Sequence, residues 1–189
     1  MNEKKGTVIF VSGVYGVGKS TLCWNLSQNN HLPSYSAGDL ISKINGEKYG
    51  ANKKVNNINQ NQDILVDETM NILKNQDLVI LAGHFCIMGE NGKPEELPTD
   101  VYCKLNLSLI ILLEANSDRI VNNLKLRDGI QYSKKQMEVF LDAERTCAYK
   151  ISENLKIPLI IHDMKFDDSD MQKINRLLKE VYGEGIIRY

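Results

Sequence analysis

The stretch Gly13-Val-Tyr-Gly-Val-Gly-Lys-Ser20 constrains this chain more than any other part of its sequence. It follows residues 7–11, a β-branched and aromatic run typical of a strand buried on both faces of a parallel sheet. Its glycines let successive backbone N–H groups converge on phosphate oxygens, and the helix that begins near Ser20 favours the same anion. Only about 0.01 random matches are expected in a chain of this length. The stretch therefore predicts a phosphate-binding loop between a strand and a helix.

The residue types within this loop predict how it would hold ATP. Lys19 is expected to reach the β and γ phosphates, and the Ser20 hydroxyl is expected to ligate Mg²⁺. The residues expected to contact the nucleotide are Gly13, Val14, Tyr15, Gly16, Val17, Gly18, Lys19, Ser20 and Thr21.

Composition predicts a single domain over residues 1–189. Hydrophobic residues make up 42% and charged residues 25% of the chain, as in ordinary globular proteins. The net charge of -1 argues against nucleic-acid binding, and so against a polynucleotide 5′-hydroxyl kinase. No apolar stretch approaches the roughly 18 residues needed to span a bilayer. We therefore expect a cytoplasmic protein without a membrane partner.

Strands and helices alternate along the whole sequence. The segments "DLVILAGHF", "LSLIILLEA" and "IPLIIHD" predict strong strands, and "SYS" predicts a weak one. The alternation predicts an α/β fold with a parallel sheet and helices on both faces. The polar residues 48–62 predict a segment outside the core, and residues 89–94 predict a turn-rich loop.

Two charged residues lie on apolar helical stripes. Arg127 shares the inward face of a helix that ends at Gly129, and Glu144 lies near the centre of the stripe of the next helix, with Arg145 at its edge. A buried charge needs a partner. One hypothesis is an ion pair between Arg127 and Glu144. The other is that Arg127, with Arg145 beside it, stabilises a phosphoryl group during transfer.

Weaker candidates lie near the predicted ends of strands and helices. His84 ends a strand, where sites form in open α/β sheets, but it could equally be a buried histidine satisfied by backbone. Asp39, after Gly38, would contact Mg²⁺ through water, position the substrate or only cap its helix. His162 and Asp163 also end a predicted strand, but we interpret them as loop residues of low functional weight.

The ordered set of motifs resembles the P-loop nucleoside monophosphate kinases, most closely the archaeal-type adenylate kinases. It consists of "GVYGVGKST", "YSAGDLI", a strand ending in "GHF", a loop reaching "LPTDVY", then "IILLEA", "LRD" and "AERTCAY", and extends to about Asp163. The resemblance implies a three-layer P-loop kinase fold with a five-stranded parallel sheet in the order 2-3-1-4-5. It also implies an acceptor-binding helical insertion at about 38–75 and a very short lid at about 127–133.

For function, the resemblance implies ATP and Mg²⁺ at the loop and transfer of the γ-phosphate to a nucleoside monophosphate. Lys19, Arg127, Arg145 and Asp39 would be catalytic, and Gly38, Asp39 and His84 would bind the acceptor. Archaeal relatives are commonly trimeric, which leaves a homo-oligomer open.

The chain also departs from this family. Typical members carry an arginine shortly after their Gly-Asp pair, where this chain has Ile41, Ser42 and Lys43. They carry an acidic residue where this chain has Ala82, and a larger, arginine-bearing lid where this chain has only residues 129–132. Two functions follow as hypotheses: a kinase acting on a nucleotide or another small molecule, or a P-loop NTPase or switch that works within a larger protein assembly.

Overall fold

The computed structural model describes residues 6–46, 58–89, 91–129 and 131–183. Strands and helices alternate through these ranges, as the sequence predicts. The strands are β1 (Thr7–Ser12), β2 (Ser34–Ser36), β3 (Leu78–Ala82), β4 (Cys86–Met88), β5 (Pro94–Glu96), β6 (Leu107–Glu114) and β7 (Leu159–Asp163). The helices are α1 (Lys19–Asn30), α2 (Ala37–Asn45), α3 (Ile58–Leu73), α4 (Thr99–Lys104), α5 (Ser117–Asp128), α6 (Lys134–Leu155) and α7 (Asp168–Tyr182).

Five strands form a parallel sheet in the order β2-β3-β1-β6-β7. The order differs in its numbers from the predicted 2-3-1-4-5, because β4 and β5 lie between β3 and β6 in the chain and pair only with each other. Counted among themselves, the five sheet strands follow the predicted sequence of neighbours. An α/β fold with a five-stranded parallel sheet is thus confirmed, and its strand numbering is corrected.

The turn-rich loop expected at residues 89–94 falls at the turn of an antiparallel hairpin between β4 and β5, with Pro94 already in β5. Cys86 pairs with Glu96 and Met88 with Pro94, and the N–H of Gly89 donates to the carbonyl of Lys93 at 2.8 Å. The Gly and Pro residues therefore form the turn and the first strand position of a hairpin, where a proline without an N–H is tolerated.

The middle of the sheet is the centre of the core. Residues 8–11 of β1 and 109–113 of β6 are each at most 1% exposed. Both strands are continuous apolar runs, which suits strands covered on both faces. The helices pack in two groups, with α1 against α7 and with α6 against α4 and α5. This grouping agrees with helices on both faces of the sheet. The placement of helices on both faces itself stays a prediction.

Helix boundaries follow the capping chemistry of the sequence. Gly129 ends α5 with a φ of 69°, and Ser133 and Gln136 form the expected capping box at the start of α6.

The polar segment 48–62 was expected to lie outside the core, but its last five residues begin α3. Residues 47–57, which belong to the predicted acceptor-binding insertion at about 38–75, lie outside the described ranges.

A buried carboxylate fixes the connection from β7 to α7. The Asp170 carboxylate accepts a hydrogen bond from His162 Nε2 at 2.7 Å. It also accepts hydrogen bonds from three backbone N–H groups, those of Lys165 at 2.9 Å, Phe166 at 2.7 Å and Asp167 at 3.3 Å. His162 and Asp163 end β7, as the strand prediction has them, but their interpretation as loop residues is wrong, because His162 is 2% exposed within the strand. Burial alone would raise the pKa of Asp170, but these donors together hold it below its usual value.

Replacing Asp170 tests how far this connection stabilises the fold. We expect Asp170→Asn to lower the free energy of unfolding by about 3 kcal/mol, because buried N–H donors lose a charged acceptor. The stabilisation should be present above the unfolded pKa of about 4 and be lost as pH falls through the lowered folded pKa. Urea unfolding between pH 7 and pH 3 measures both effects. The exposed Asp168→Asn, on the same helix, is the control, and equal losses in the two variants would contradict the prediction.

Candidate active site

A cavity of about 670 Å³ opens at the carboxyl ends of β1 and β3, beside the start of α1. This is the edge of an open α/β sheet at which ligands bind, and the volume suits a small-molecule site. Its lining residues are Phe10, Tyr15, Gly16, Gly18, Lys19, Ser20, Thr21, Ser36, Ala37, Gly38, Ile41, Asn61, Gln62, Leu65, Ala82, Gly83, His84, Ile87, Leu97, Tyr102, Asn123, Leu126, Arg127 and Phe166.

The loop from Gly13 to Gly18 has the backbone of an anion cradle. Gly13, Gly16 and Gly18 have φ values of 141°, 76° and 101°, a region that L side chains rarely adopt. A Cβ on Gly13 would lie 2.6 Å from the carbonyl oxygen of Leu113. Gly18 is the N-cap of α1 and supplies no side-chain cap. The first N–H groups of α1 therefore face a cavity that an anion could enter.

The side chain of Lys19 folds back over this loop. Its Nζ donates to the carbonyl oxygens of Gly13 at 2.6 Å and Val14 at 2.9 Å. A lysine ammonium held at the rim of a loop of backbone N–H groups concentrates positive charge where phosphates would bind. The loop thus fits the triphosphate that its sequence predicts.

Glu144 ties the loop to the connection that follows β3. Its carboxylate, in a residue 1% exposed, accepts the N–H groups of Gly13 at 3.1 Å, Phe85 at 2.9 Å and Cys86 at 2.8 Å. Burial raises the pKa of Glu144, while those N–H groups and the charge of Lys19 oppose the rise. The predicted ion pair between Arg127 and Glu144 is wrong, because backbone donors surround this carboxylate instead.

The structure separates the two predicted catalytic arginines. Arg127 lines the cavity and pairs with the neighbouring Asp128, with Nε 2.7 Å from Oδ1. Its side chain is 55% exposed, so it does not occupy the buried inward position expected from the helical wheel. Arg145 pairs with Glu114, with Nη2 2.9 Å from Oε2, and does not line the cavity. Its predicted place beside Arg127 at the transferred phosphate is therefore not supported.

Of the three residues predicted to bind the acceptor, two line the cavity and one does not. Gly38 and His84 line the cavity, and the His84 ring packs edge-on against Tyr15 with centroids 4.6 Å apart. Asp39 lies in the first turn of α2, is exposed and does not line the cavity. It is not the helix cap either, because Ser36 Oγ accepts the Asp39 N–H at 3.4 Å.

The described lining offers few ligands for a metal ion. Ser20 and Thr21 are exposed to the cavity, which has no aspartate or glutamate among its described lining residues. Ala82 lines the cavity at the position where the resembled family carries an acid. The described ranges contain no group of three or more His, Cys, Asp and Glu side chains able to hold a metal. Mg²⁺ would thus fit here through Ser20, phosphate oxygens and water, as it commonly does in phosphate sites.

Sequence reasoning missed several residues of this site. Asn61 and Gln62 belonged to the polar segment that was expected to lie outside the core, yet they are 2% and 6% exposed. Their spacing to Leu65 and Thr69 is helical and could have shown it. Phe166 had no sequence signal, because it reaches the cavity from a loop with a φ of 63°. Asn123 reaches the phosphate-binding loop from α5 and donates to the Gly16 carbonyl at 3.1 Å.

Comparison with known sequences identifies a family. A family model described as an AAA domain matches residues 12–140. UMP-CMP kinase 3 from Oryza sativa subsp. japonica is 24% identical over 155 residues, which cover 76% of this chain and 72% of the relative. The family match and the kinase relative confirm the prediction of an ATP-dependent kinase. They do not single out the archaeal-type adenylate kinases, and that finer resemblance stays a prediction.

Solved structures share the fold. A shikimate kinase from Acinetobacter baumannii has a TM-score of 0.63 at 12% identity, covering 94% of each chain. A gluconokinase from Sinorhizobium meliloti 1021 has a TM-score of 0.58 at 12% identity, covering 96% of this chain and 98% of its own. At this identity the likeness establishes the P-loop kinase fold. No helix in the described ranges combines the length and apolar character needed to cross a bilayer.

Glu144 offers a direct test of how the site is held. In the wild-type protein three backbone N–H groups share the two carboxylate oxygens of Glu144. A glutamine has only one carbonyl oxygen to accept them, and its NH₂ group would face another N–H donor. We expect Glu144→Gln to lower the free energy of unfolding by about 3 kcal/mol. Thermal and urea unfolding measure this loss. The control is Glu153→Gln, exposed on the same helix, and a Glu144→Gln protein as stable as this control would contradict the anchoring role.

Proposed function

Since the chain belongs to the AAA domain family whose model matches residues 12–140, we propose that it is an ATP- and Mg²⁺-dependent phosphotransferase for a small acceptor. The acceptor is a nucleoside monophosphate or a related small molecule. The similarity to a UMP-CMP kinase and the motifs shared with adenylate kinases both support this class of acceptor. Homo-oligomers and a cytoplasmic location stay predictions.

The continuity of the cavity carries the proposal. One space of about 670 Å³ joins the phosphate-binding loop to a wall built from the start of α2 and the start of α3. A hydrolase needs room for the triphosphate and a water. This cavity also extends beyond the loop, along Gly38, Ile41 and Gln62 and along His84 and Ile87, and its total volume lies in the range of small-molecule sites.

The residues of the chain would act mainly by positioning and by charge. The N–H groups of the glycine loop and of the first turn of α1 would bind the phosphates, with Lys19 moving from the loop carbonyls to the phosphate oxygens. Gly38 and His84 would contact the acceptor beside the loop. In phosphoryl transfer such alignment and charge stabilisation do most of the catalysis, with little covalent chemistry from the protein.

Ser20 is the residue that would hold Mg²⁺ together with phosphate oxygens. When bound, the ion would neutralise charge on the β and γ phosphates. Arg127, at the end of α5 and on the cavity wall, is the arginine that would stabilise the transferred group, and it would leave Asp128 to do so. The catalytic role of Arg145 stays a prediction from the sequence, and its ion pair with Glu114 argues against that role.

The first experiment is turnover of ATP with Mg²⁺, alone and with AMP, CMP, GMP or UMP, separated by chromatography. We expect one or more monophosphates to be converted to diphosphates. We expect Lys19→Met to lower kcat about 10³-fold or more, since it removes the cation at the phosphates. Lys104→Met, at an exposed position of α4, is the matched control. A Lys19→Met protein with normal turnover would remove the loop from the mechanism.

The same assay distinguishes the alternative of a P-loop NTPase or switch acting within a larger assembly. The absence of carboxylates and of acceptor-side arginines from the described lining favours that alternative. ATP hydrolysis that no acceptor changes would support it and contradict the kinase proposal.

The two arginines should differ in their effect on turnover. Because Arg127 lines the cavity and Arg145 does not, Arg127→Met should lower kcat about 10³-fold with a near-normal melting temperature, whereas Arg145→Met should lower it far less. Steady-state kinetics and thermal unfolding of both variants measure this difference. Equal losses of kcat would show that Arg145 also reaches the reacting phosphate and that its pair with Glu114 opens.

A further inference from the structure

Gln62 is a buried amide without a matching donor. It lies in the second turn of α3, lines the cavity and is 6% exposed. Its Oε1 is shielded from solvent, and no group in the described ranges donates a hydrogen bond to it. A carbonyl oxygen in this state lowers stability, because it has lost its water without gaining a partner. Because Gln62 lines the cavity, a rotation of its amide would turn Oε1 toward a ligand that supplies the missing donor.

The surroundings of Gln62 describe what kind of ligand group would do so. Ile41 and Leu65 line the same part of the cavity and are apolar and buried. The neighbouring amide of Asn61 is fixed by Asn45, whose Nδ2 donates to Asn61 Oδ1 at 2.6 Å. Among the residues that the structure describes, this part of the wall consists of apolar side chains and uncharged amides.

The charged residues of the described lining lie elsewhere. Lys19 is in the phosphate-binding loop and Arg127 is at the end of α5, and neither is on α2 or α3. A phosphate-bearing end of a ligand would be drawn to those cations. The end that faces α3 would then be uncharged and would present a hydrogen-bond donor.

From this arrangement we propose that Gln62 selects the phosphate acceptor, by accepting a hydrogen bond at Oε1 from an N–H group of the acceptor's base. The inference rests on the proposed function, because it places a nucleoside monophosphate in the cavity. It adds a specificity-determining residue that the motifs of the chain do not include. A buried acceptor of this kind discriminates strongly, since a ligand without the donor would leave Oε1 unpaired.

Gln62→Met tests the proposal, because methionine has a similar length and no polar end. We expect the KM for the preferred monophosphate to rise about tenfold or more, while the KM for ATP stays within about twofold. We also expect the ligand-free melting temperature to stay the same or rise, because an unsatisfied buried oxygen is removed. A purely structural role would instead lower the melting temperature and leave both KM values unchanged.

Thr69→Val is the matched control. Thr69 lies two turns further along α3, is 1% exposed and has an Oγ1 without a hydrogen-bond partner in the described ranges, but it does not line the cavity. Its substitution should likewise preserve the melting temperature, yet leave the acceptor KM unchanged. If both variants raise that KM equally, the effect belongs to the packing of α3 and the proposal is overturned.

The source of the donor is resolved with the 2′-deoxy form of the same monophosphate. A Gln62→Met penalty that persists with the deoxy acceptor supports the base, whereas a penalty that vanishes moves the contact to the ribose and overturns the base assignment. If wild-type protein phosphorylates none of the monophosphates, the proposed function fails. Monophosphate binding, measured by calorimetry, then decides on Gln62 separately: binding to wild type about tenfold or more tighter than to Gln62→Met supports the contact, and equal or undetectable binding overturns it.

Discussion

The hydrogen bonds to the Glu144 carboxylate join the parts of the site that come from distant segments of the chain. One buried side chain on α6 accepts N–H groups from the first glycine of the phosphate-binding loop and from residues 85 and 86 after β3. N–H donors of this kind cannot be left unpaired in a dry interior without a large cost. The phosphate-binding loop and residues 85 and 86 after β3 are therefore held in fixed positions relative to each other, through α6.

The two ends of the cavity are built on different principles. At the donor end, backbone geometry is fixed by glycines whose positive φ values and close packing exclude other residues, as at Gly13 beside Leu113. At the acceptor end, the described wall consists of side chains from α2, α3 and the segment that follows β3, among them Ile41, Gln62 and His84. This division explains how P-loop kinases of one fold act on different acceptors, and why the acceptor is the part of the function that needs experiment.

Much of the fold and the nucleotide half of the site could be predicted from local sequence. The loop, the strand before it, the cap at Gly129 and the capping box at Ser133 depend on residues adjacent in the chain, and the structure has them where expected. The errors concern partners distant in sequence. Glu144 was placed correctly on an inward stripe, but nothing in its own helix shows that its partners are backbone N–H groups 59 and 131 residues away.

By itself, the sequence determined a parallel α/β sheet and a phosphate-binding loop, because periodicity, glycine placement and capping act over a few residues. Only the tertiary structure decided which charged and polar side chains share the cavity. It brought Arg127 to the wall and paired Arg145 with Glu114, and it buried Gln62 at the wall of the same cavity. The reason is physical: a side chain's partner is set by the packing of whole elements, and that packing depends on contacts between residues far apart in the chain.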